Sequence, residues 1–121
     1  MTLTCLIPNI FYDDVKVGLD LFVRGLGFSV YYEDLSSPEG PWYILGKDTL
    51  KVHLIQNAEF AKKDRPELRL ETDNIEELYD RIKNECPDLF HPNCKEIKTQ
   101  PWGARSFGVI DASDVCIVIS Q

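Results

Sequence analysis

The sequence lacks any apolar run long enough to cross a membrane. Hydrophobic residues make up 44% of its 121 residues, but they are divided among short segments, whereas a membrane-spanning helix needs about 20 consecutive apolar residues. The first residues, Met-Thr-Leu-Thr-Cys-Leu-Ile-Pro, also lack the basic start and the apolar stretch of a secretory signal. We therefore expect a cytoplasmic location and a single domain that covers residues 1–121.

Closely spaced metal-binding cysteines are also absent, because none of the four cysteines belongs to a CxxC motif. Cys5 and Cys116 lie in β-like runs and are expected to be small buried residues. Cys86 and Cys94 flank His91, but a zinc knuckle needs tighter spacing and a fourth ligand. Free thiols in a reducing compartment are the favoured interpretation.

A basic patch is missing as well, which argues against a nucleic-acid partner. The 13 lysines and arginines are scattered among 20 aspartates and glutamates, and the net charge is -7. Binding to nucleic acid requires clustered positive charge that neutralises phosphates. The acidic balance is typical of a well-solvated surface and, as the less favoured alternative, of a protein that binds a cationic ligand.

What the sequence does contain is the same order of segments twice. An extended run, a capped amphipathic helix and three β-like runs occupy residues 4–56, and the order recurs over residues 66–121 after a polar linker at residues 57–65. This repeat predicts an α+β fold of two βαβββ modules, which form a concave mixed sheet with helices on its outer face. The function is then expected in the groove that the two modules share.

The two predicted helices have clear start and stop signals. Asp13-Asp14 caps the first helix and Gly27 ends it. Asn74 and Glu77 form a capping box at the start of the second helix, and Pro87 ends that helix. The predicted apolar stripes are Val15, Leu19, Phe22, Val23 and Leu26 in the first helix, and Ile75, Leu78, Tyr79, Ile82 and Cys86 in the second.

Alternation along the predicted strands assigns side chains to the two faces of the sheet. The side that packs under the helices takes Ile10, Tyr12, Leu50, Val52, Leu54, Leu68 and Leu70. The groove side takes Ile7, Asn9, Phe11, Lys51, His53, Ile55, Glu67, Arg69 and Glu71. Because the groove side is polar or mixed, we expect a wet surface that a ligand can reach.

These features together resemble the vicinal oxygen chelate superfamily. The resemblance covers almost the whole chain, and its most specific stretch is Gln100-Pro101-Trp102-Gly103 followed by Arg105, Phe107 and Asp111, which is similar to the bleomycin-resistance branch. The superfamily includes glyoxalase I, extradiol dioxygenases, fosfomycin-resistance enzymes and bleomycin-resistance proteins. The chain departs from the family at residues 111–114, where Asp-Ala-Ser-Asp replaces the usual Asp-Pro-Asp-Gly turn.

The resemblance implies four metal-ligand positions, one on each of four inward-facing strands. They fall on Ile7, Glu67, Val118 and either Lys51 or His53, depending on the register. Ile7 and Val118 offer no lone pair and a lysine ammonium repels a cation, so at most two donors remain, fewer than a stable site needs. The chain has two histidines in all. The expected cofactor is therefore none.

The function that the resemblance implies is metal-independent binding of a small molecule. Bleomycin-resistance proteins are dimers that sequester a cationic, aromatic drug in clefts formed by both subunits, and we expect a similar homodimer here. Antibiotic resistance is one possible role. A metal-dependent lyase or dioxygenase of the glyoxalase type is the alternative, and a structural dimer without a ligand is a third. The sequence leaves open whether the modules pair within one chain or between two.

The candidate ligand-binding residues are aromatic or charged side chains in the hairpin of the first half, in the first strand of the second half and around the late β-like runs. Trp42 and Trp102 would stack on a planar ligand. Glu67 and Glu71, which we call the glutamate row, would attract a cationic group. Arg105 would orient an anionic group. Other roles compete: Trp102 could fill a dimer seam, Arg105 could tie Asp111, and Tyr31-Tyr32 are expected mainly in the core. The candidates are Trp42, His53, Glu67, Arg69, Trp102 and Arg105.

Overall fold

The computed structural model describes all 121 residues and consists of two modules with the same topology. The first module contains strand β1 (Asn9–Tyr12), helix α1 (Val15–Leu19), which continues as a π-helix (Asp20–Gly25), and strands β2 (Ser29–Asp34), β3 (Trp42–Lys47) and β4 (Leu50–Gln56). The second contains β5 (Glu67–Glu71), helix α3 (Ile75–Glu85), a 3-10 turn (Pro87–Leu89), β6 (Lys98–Thr99), β7 (Arg105–Ile110) and β8 (Cys116–Ser120). Helix α2 (Ala58–Lys63) lies between the modules.

Each module forms its own four-stranded mixed sheet. The strand orders are β1-β4-β3-β2 and β5-β8-β7-β6, and in each sheet the first two strands are parallel while the others are antiparallel. The predicted α+β fold with two βαβββ modules is confirmed. Within one chain the two sheets are not hydrogen-bonded to each other, so each has an open face of its own.

The modules are joined through their helices and share one core. Arg81 on α3 donates to the carbonyl oxygens of Gly25 (3.2 Å) and Arg24 (3.3 Å), while Arg24 donates to the carbonyl oxygen of Glu85 (3.1 Å). Burial of apolar surface is the main driving force for this packing. The core contains Ile10, Tyr12, Val15, Leu21, Phe22, Leu26, Phe28, Leu45, Val52, Leu54, Ile75, Ile82, Cys86, Leu89, Phe107, Val109, Val115, Ile117 and Ile119.

The first strand is shorter than predicted. The extended run of the sequence begins at residue 4, but β1 starts at Asn9 and residues 1–7 are exposed. Pro8 has no amide proton, so it cannot donate to a sheet, although its carbonyl oxygen still accepts from the His53 amide at 3.0 Å. The expectation that Cys5 is buried is wrong for the same reason, because Cys5 lies in this exposed segment.

The first helix begins as predicted, but its apolar stripe changes register. Asp14 caps it by accepting from the Lys16 amide at 3.0 Å. After residue 19 the backbone follows π-helical hydrogen bonds, such as the Leu26 amide to the Leu21 carbonyl oxygen at 3.0 Å. This wider turn rotates Leu21 into the core and leaves Leu19 half-buried, so the predicted 3.6-residue stripe is wrong at these positions.

The second helix and its capping box are confirmed. The Asn74 side chain accepts from the Glu77 amide (3.1 Å), and its own amide group donates to the Glu77 carboxylate (3.2 Å). Pro87 follows the helix and opens the 3-10 turn. Helix α3 has 11 residues, and no helix combines the length and apolarity that a membrane crossing requires.

One buried hydrogen bond links the two modules across the core. The Tyr12 hydroxyl at the end of β1 donates to Asp111 Oδ2 at 2.7 Å. The other carboxylate oxygen of Asp111 accepts from the amides of Ser113 (2.9 Å) and Val115 (3.1 Å), which shapes the turn after β7. Asp111 is only 6% exposed. The sequence suggested Arg105 as a partner of Asp111, but the side chain that is hydrogen-bonded to Asp111 is that of Tyr12.

The Asp111 carboxylate predicts a pH dependence of stability. Burial raises its pKa, although the hydrogen bonds from Tyr12 and the turn oppose this. Since the folded state then holds the proton more tightly than the unfolded state, this group stabilises the fold below about pH 4 and loses that contribution as the pH rises through the folded pKa. The Asp111→Asn variant should show a smaller fall in the free energy of unfolding above pH 4, measured by urea denaturation. Parallel pH curves for the two proteins would contradict this.

Candidate functional site

The open face of the first sheet is lined by aromatic and apolar side chains, and we call it the aromatic face. The strand register places His53 between Asn9 and Ile44, and it places Ile55 between Phe11 and Trp42. Residues on this face are half-buried or exposed, whereas the alternate residues of β1 and β4 are in the core, namely Ile10, Tyr12, Val52 and Leu54. The predicted alternation in the hairpin is confirmed for Val52 and Leu54, whereas Leu50, which was expected under the helices, is 41% exposed. The aromatic face comprises Phe11, Tyr31, Tyr32, Trp42, Ile44, His53 and Ile55.

A β-bulge places two consecutive tyrosines on this face. The pairing of β2 with β3 shifts between Val30 and Tyr32, so that Tyr31 is an extra residue. Its ring lies directly over Gly46, where a Cβ atom would come within 2.1 Å of the ring. Tyr31 and Tyr32 are 54% and 51% exposed. The expectation that they pack mainly in the core is therefore wrong, because the bulge interrupts the alternation on which it relied.

Three rings form a row across the aromatic face. The centroid of the Tyr32 ring is 5.3 Å from that of Trp42, and the Trp42 ring is 6.2 Å from that of His53. These distances are within the range of favourable aromatic contacts. At the far edge, Phe60 from α2 packs edge-on against Phe11 with centroids 5.1 Å apart. Helix α2 lies in the predicted linker and was not predicted.

The open face of the second sheet carries charged and polar side chains, and we call it the polar face. Glu67 pairs with Cys116, Arg69 with Val118, and Glu71 with Ser120. Burial, followed by the charge of Glu67, raises the pKa of the Cys116 thiol, which leaves the thiol protonated and weakly nucleophilic at neutral pH. The predicted exposure of Glu67, Arg69 and Glu71 is confirmed, and Leu68 and Leu70 pack against the core. The polar face comprises Glu67, Arg69, Glu71, Ser106, Gly108, Cys116, Val118 and Ser120.

The predicted ligand-binding residues do not lie together in one chain. Trp42 and His53 are neighbours on the aromatic face, while Glu67 and Arg69 lie on the polar face of the other sheet. Trp102 is 72% exposed in the turn before β7.

Arg105 points away from the polar face. It shares the helix-side face of β7 with the buried Phe107 and Val109, and it forms an ion pair with Glu76 in the first turn of α3. The hydrogen bond from Arg105 lowers the pKa of the Glu76 carboxyl. Arg105 therefore belongs to neither open face.

The four metal-ligand positions that the resemblance implies are divided between the two modules. His53 and Lys51 both point to the aromatic face, and Glu67 lies on the other sheet. Ile7 and Val118 carry no donor atom. No three histidine, cysteine, aspartate or glutamate side chains are placed to hold one metal ion. The residues present therefore do not fit the divalent cation of the superfamily's enzymes.

Two open clefts lie at the contact between the modules, and Glu71 at the end of β5 also lines the first of them. One is lined partly by Lys47, Asp48 and Arg81, and the other partly by Lys16 and Asp88. None of the six predicted ligand-binding residues lines either cleft. Four of the six, Trp42, His53, Glu67 and Arg69, lie on the aromatic and polar faces instead.

No known protein-family model matches the sequence, and no curated protein matches it. Solved structures with the same fold include a bleomycin-binding protein complexed with bleomycin, which is 19% identical with a TM-score of 0.73 and 96% of each chain covered. They also include a glyoxalase family protein from Enterococcus faecalis (13% identical, TM-score 0.71, covering 99% of this chain and 97% of that one). A third is a glyoxalase/bleomycin resistance protein/dioxygenase superfamily member from Sphaerobacter thermophilus (17% identical, TM-score 0.73, covering 98% and 97%). The chain therefore has the vicinal oxygen chelate fold.

Proposed function

We propose that this protein is a metal-independent small-molecule binding protein. The observation that supports this most directly is the row of Tyr32, Trp42 and His53 on the open aromatic face, in a fold where two of the four implied metal-ligand positions carry aliphatic side chains. Exposed rings held by a sheet bind planar ligands well because few rotatable bonds must be fixed. The ligand is expected to be an aromatic or cationic compound, as one structural neighbour is a bleomycin-binding protein.

The proposed binding unit is a homodimer in which the aromatic face of one chain is opposite the polar face of its partner. Such a pairing would bring Trp42 and His53 of one copy close to the partner copy's glutamate row, which could attract a cationic group. The N-terminal segment supports dimer formation, because Leu3 and Leu6 are 87% and 92% exposed. Apolar side chains clustered on a surface favour association.

The alternative function, a metal-dependent lyase or dioxygenase, makes an opposite prediction about metal content. We expect purified protein to contain less than one equivalent of nickel, zinc, iron or manganese per chain, because the implied positions offer at most two donors. Elemental analysis after dialysis without chelator measures this. A stoichiometric metal, together with its loss on replacing Glu67 or His53 by alanine, would support the enzyme instead.

Ligand binding itself is tested by thermal denaturation in the presence of planar cationic compounds, with metal-free bleomycin among them. A compound at one hundred times its dissociation constant should stabilise the fold by about 2.7 kcal/mol. Sedimentation analysis on the same samples measures the dimer. Absence of any shift over a broad panel, with a dimer present, would favour a structural role.

A further inference from the structure

The Trp42 indole is fixed at its polar end by a carboxylate on the neighbouring strand. Trp42 Nε1 donates to Asp34 Oδ2 at 3.2 Å. The two residues are direct cross-strand partners of β3 and β2, so their side chains point to the same side of the sheet. This contact was not predictable from the sequence, because it depends on the strand register that follows the bulge at Tyr31.

Asp34 is itself held in place by the turn that follows β2. Its Oδ1 atom accepts from the Ser36 amide at 3.0 Å and from the Ser36 hydroxyl at 3.1 Å. These hydrogen bonds, with the one from Trp42, lower the pKa of the Asp34 carboxyl. The carboxylate is thus charged at neutral pH, with one oxygen on its own backbone turn and the other on the indole.

We propose that Asp34 is a positioning residue for ligand binding, which fixes the orientation of the Trp42 ring through the indole N–H. This inference rests on the proposed function of the aromatic face. With its single polar atom bonded to Asp34, Trp42 offers a ligand only its ring. The His53 imidazole and the Tyr32 hydroxyl are then the groups in the row that can form hydrogen bonds with the ligand, so Trp42 supplies stacking and its two neighbours supply polar recognition.

The geometry explains why a fixed ring matters for affinity. A tryptophan side chain that is free to rotate must be immobilised when a ligand stacks on it, and immobilising one side chain costs about 0.5–1.5 kcal/mol. Asp34 has already imposed that order in the free protein. Removing the carboxylate should therefore weaken binding although Asp34 does not touch the ligand.

The first test reads the indole directly in the free protein. In a Trp102→Phe background Trp42 is the single tryptophan, so its Nε1–H signal in a ¹H–¹⁵N spectrum is unambiguous. Asp34→Ala should move this signal and accelerate its exchange with solvent. Glu33→Ala removes the same charge from the adjacent residue, which forms no hydrogen bond to Trp42, and should leave the signal in place. An unchanged signal in Asp34→Ala would overturn the inference.

The second test measures affinity for metal-free bleomycin by isothermal titration calorimetry. Asp34→Ala should raise the dissociation constant about three- to tenfold, whereas Glu33→Ala should not. In a Trp42→Phe background, which lacks the N–H, Asp34→Ala should have no further effect. Equal weakening by both charge-removing variants, or an effect of Asp34→Ala that persists without the indole, would overturn the inference. If the wild-type protein does not bind bleomycin, the proposed function is overturned. This outcome is distinguishable from failure of the Asp34 inference, in which the wild type binds but the variants do not differ as expected.

Discussion

The Asp111→Ala variant is expected to have a free energy of unfolding about 3 kcal/mol lower than that of the wild type. The substitution leaves the fully buried Tyr12 hydroxyl without its acceptor and removes the acceptor of the Val115 amide. An unpaired buried polar group costs about 1–3 kcal/mol, and here two are created at once. Urea denaturation at pH 7 measures the loss, with equal m-values as the check that unfolding remains comparable.

Tyr12→Phe is the matched control for this prediction. It removes the donor, but Asp111 keeps its two backbone partners, so the loss should be smaller, about 1 kcal/mol. The double variant should be less destabilised than the sum of the two single variants, since removing both partners leaves no orphaned hydroxyl. Additive losses, or an Asp111→Ala loss below about 0.5 kcal/mol, would show that this bond does not join the modules energetically.

The repeat and the alternation of side chains were predictable from the sequence because both are local patterns. The sequence placed Leu68 and Leu70 toward the core and Glu67 toward the open face, and the structure agrees. It also identified the start of α3 from the Asn74–Glu77 pair, whose atoms lie within one helical turn. Such signals depend only on the alternation of side chains along a strand and on the unpaired amides in the first turn of a helix.

Features that depend on a changed period were not predictable. The π-helix shifts Leu21 into the core, and the bulge brings Tyr31 onto the same face as Tyr32. The π-helical turn and the β-bulge each add one residue to the regular repeat of the helix or strand. A prediction that assumes a fixed repeat therefore assigns the residues after that point to the wrong face. Gly46 was the available signal for the bulge, because a glycine in a strand indicates a close approach of another group.

The candidate site was predictable by residue type but not by partner. The sequence selected Trp42 and His53, and the structure places them 6.2 Å apart. It did not select Asp34, and it gave Arg105 a ligand-binding role although that side chain pairs with Glu76 on the helix side. Asp34 is 8 residues from Trp42 in the sequence, and Glu76 is 29 residues from Arg105. The strand register brings the first pair together, and the packing of α3 brings the second pair together.

Replacing Trp42 by alanine is expected to have the largest effect on ligand binding. The ring lies at the centre of the aromatic row, between Tyr32 and His53. Truncating a central aromatic contact typically costs about 2 kcal/mol or more, so the dissociation constant for metal-free bleomycin should rise about 30-fold. Calorimetric titration measures this, and Trp42→Phe should retain part of the affinity because a smaller ring can still stack.

Trp102→Ala is the comparison that assigns the two tryptophans. Trp102 is exposed and lies outside the aromatic row, so its removal should weaken bleomycin binding less than Trp42→Ala does. If Trp102 fills the dimer seam, the variant should raise the dissociation constant of the dimer while the ligand affinity of the remaining dimer stays close to that of the wild type. Loss of ligand binding in Trp102→Ala with binding retained in Trp42→Ala would move the site from the aromatic face to the turn before β7, because the ring that stacks on the ligand is the one whose removal abolishes binding.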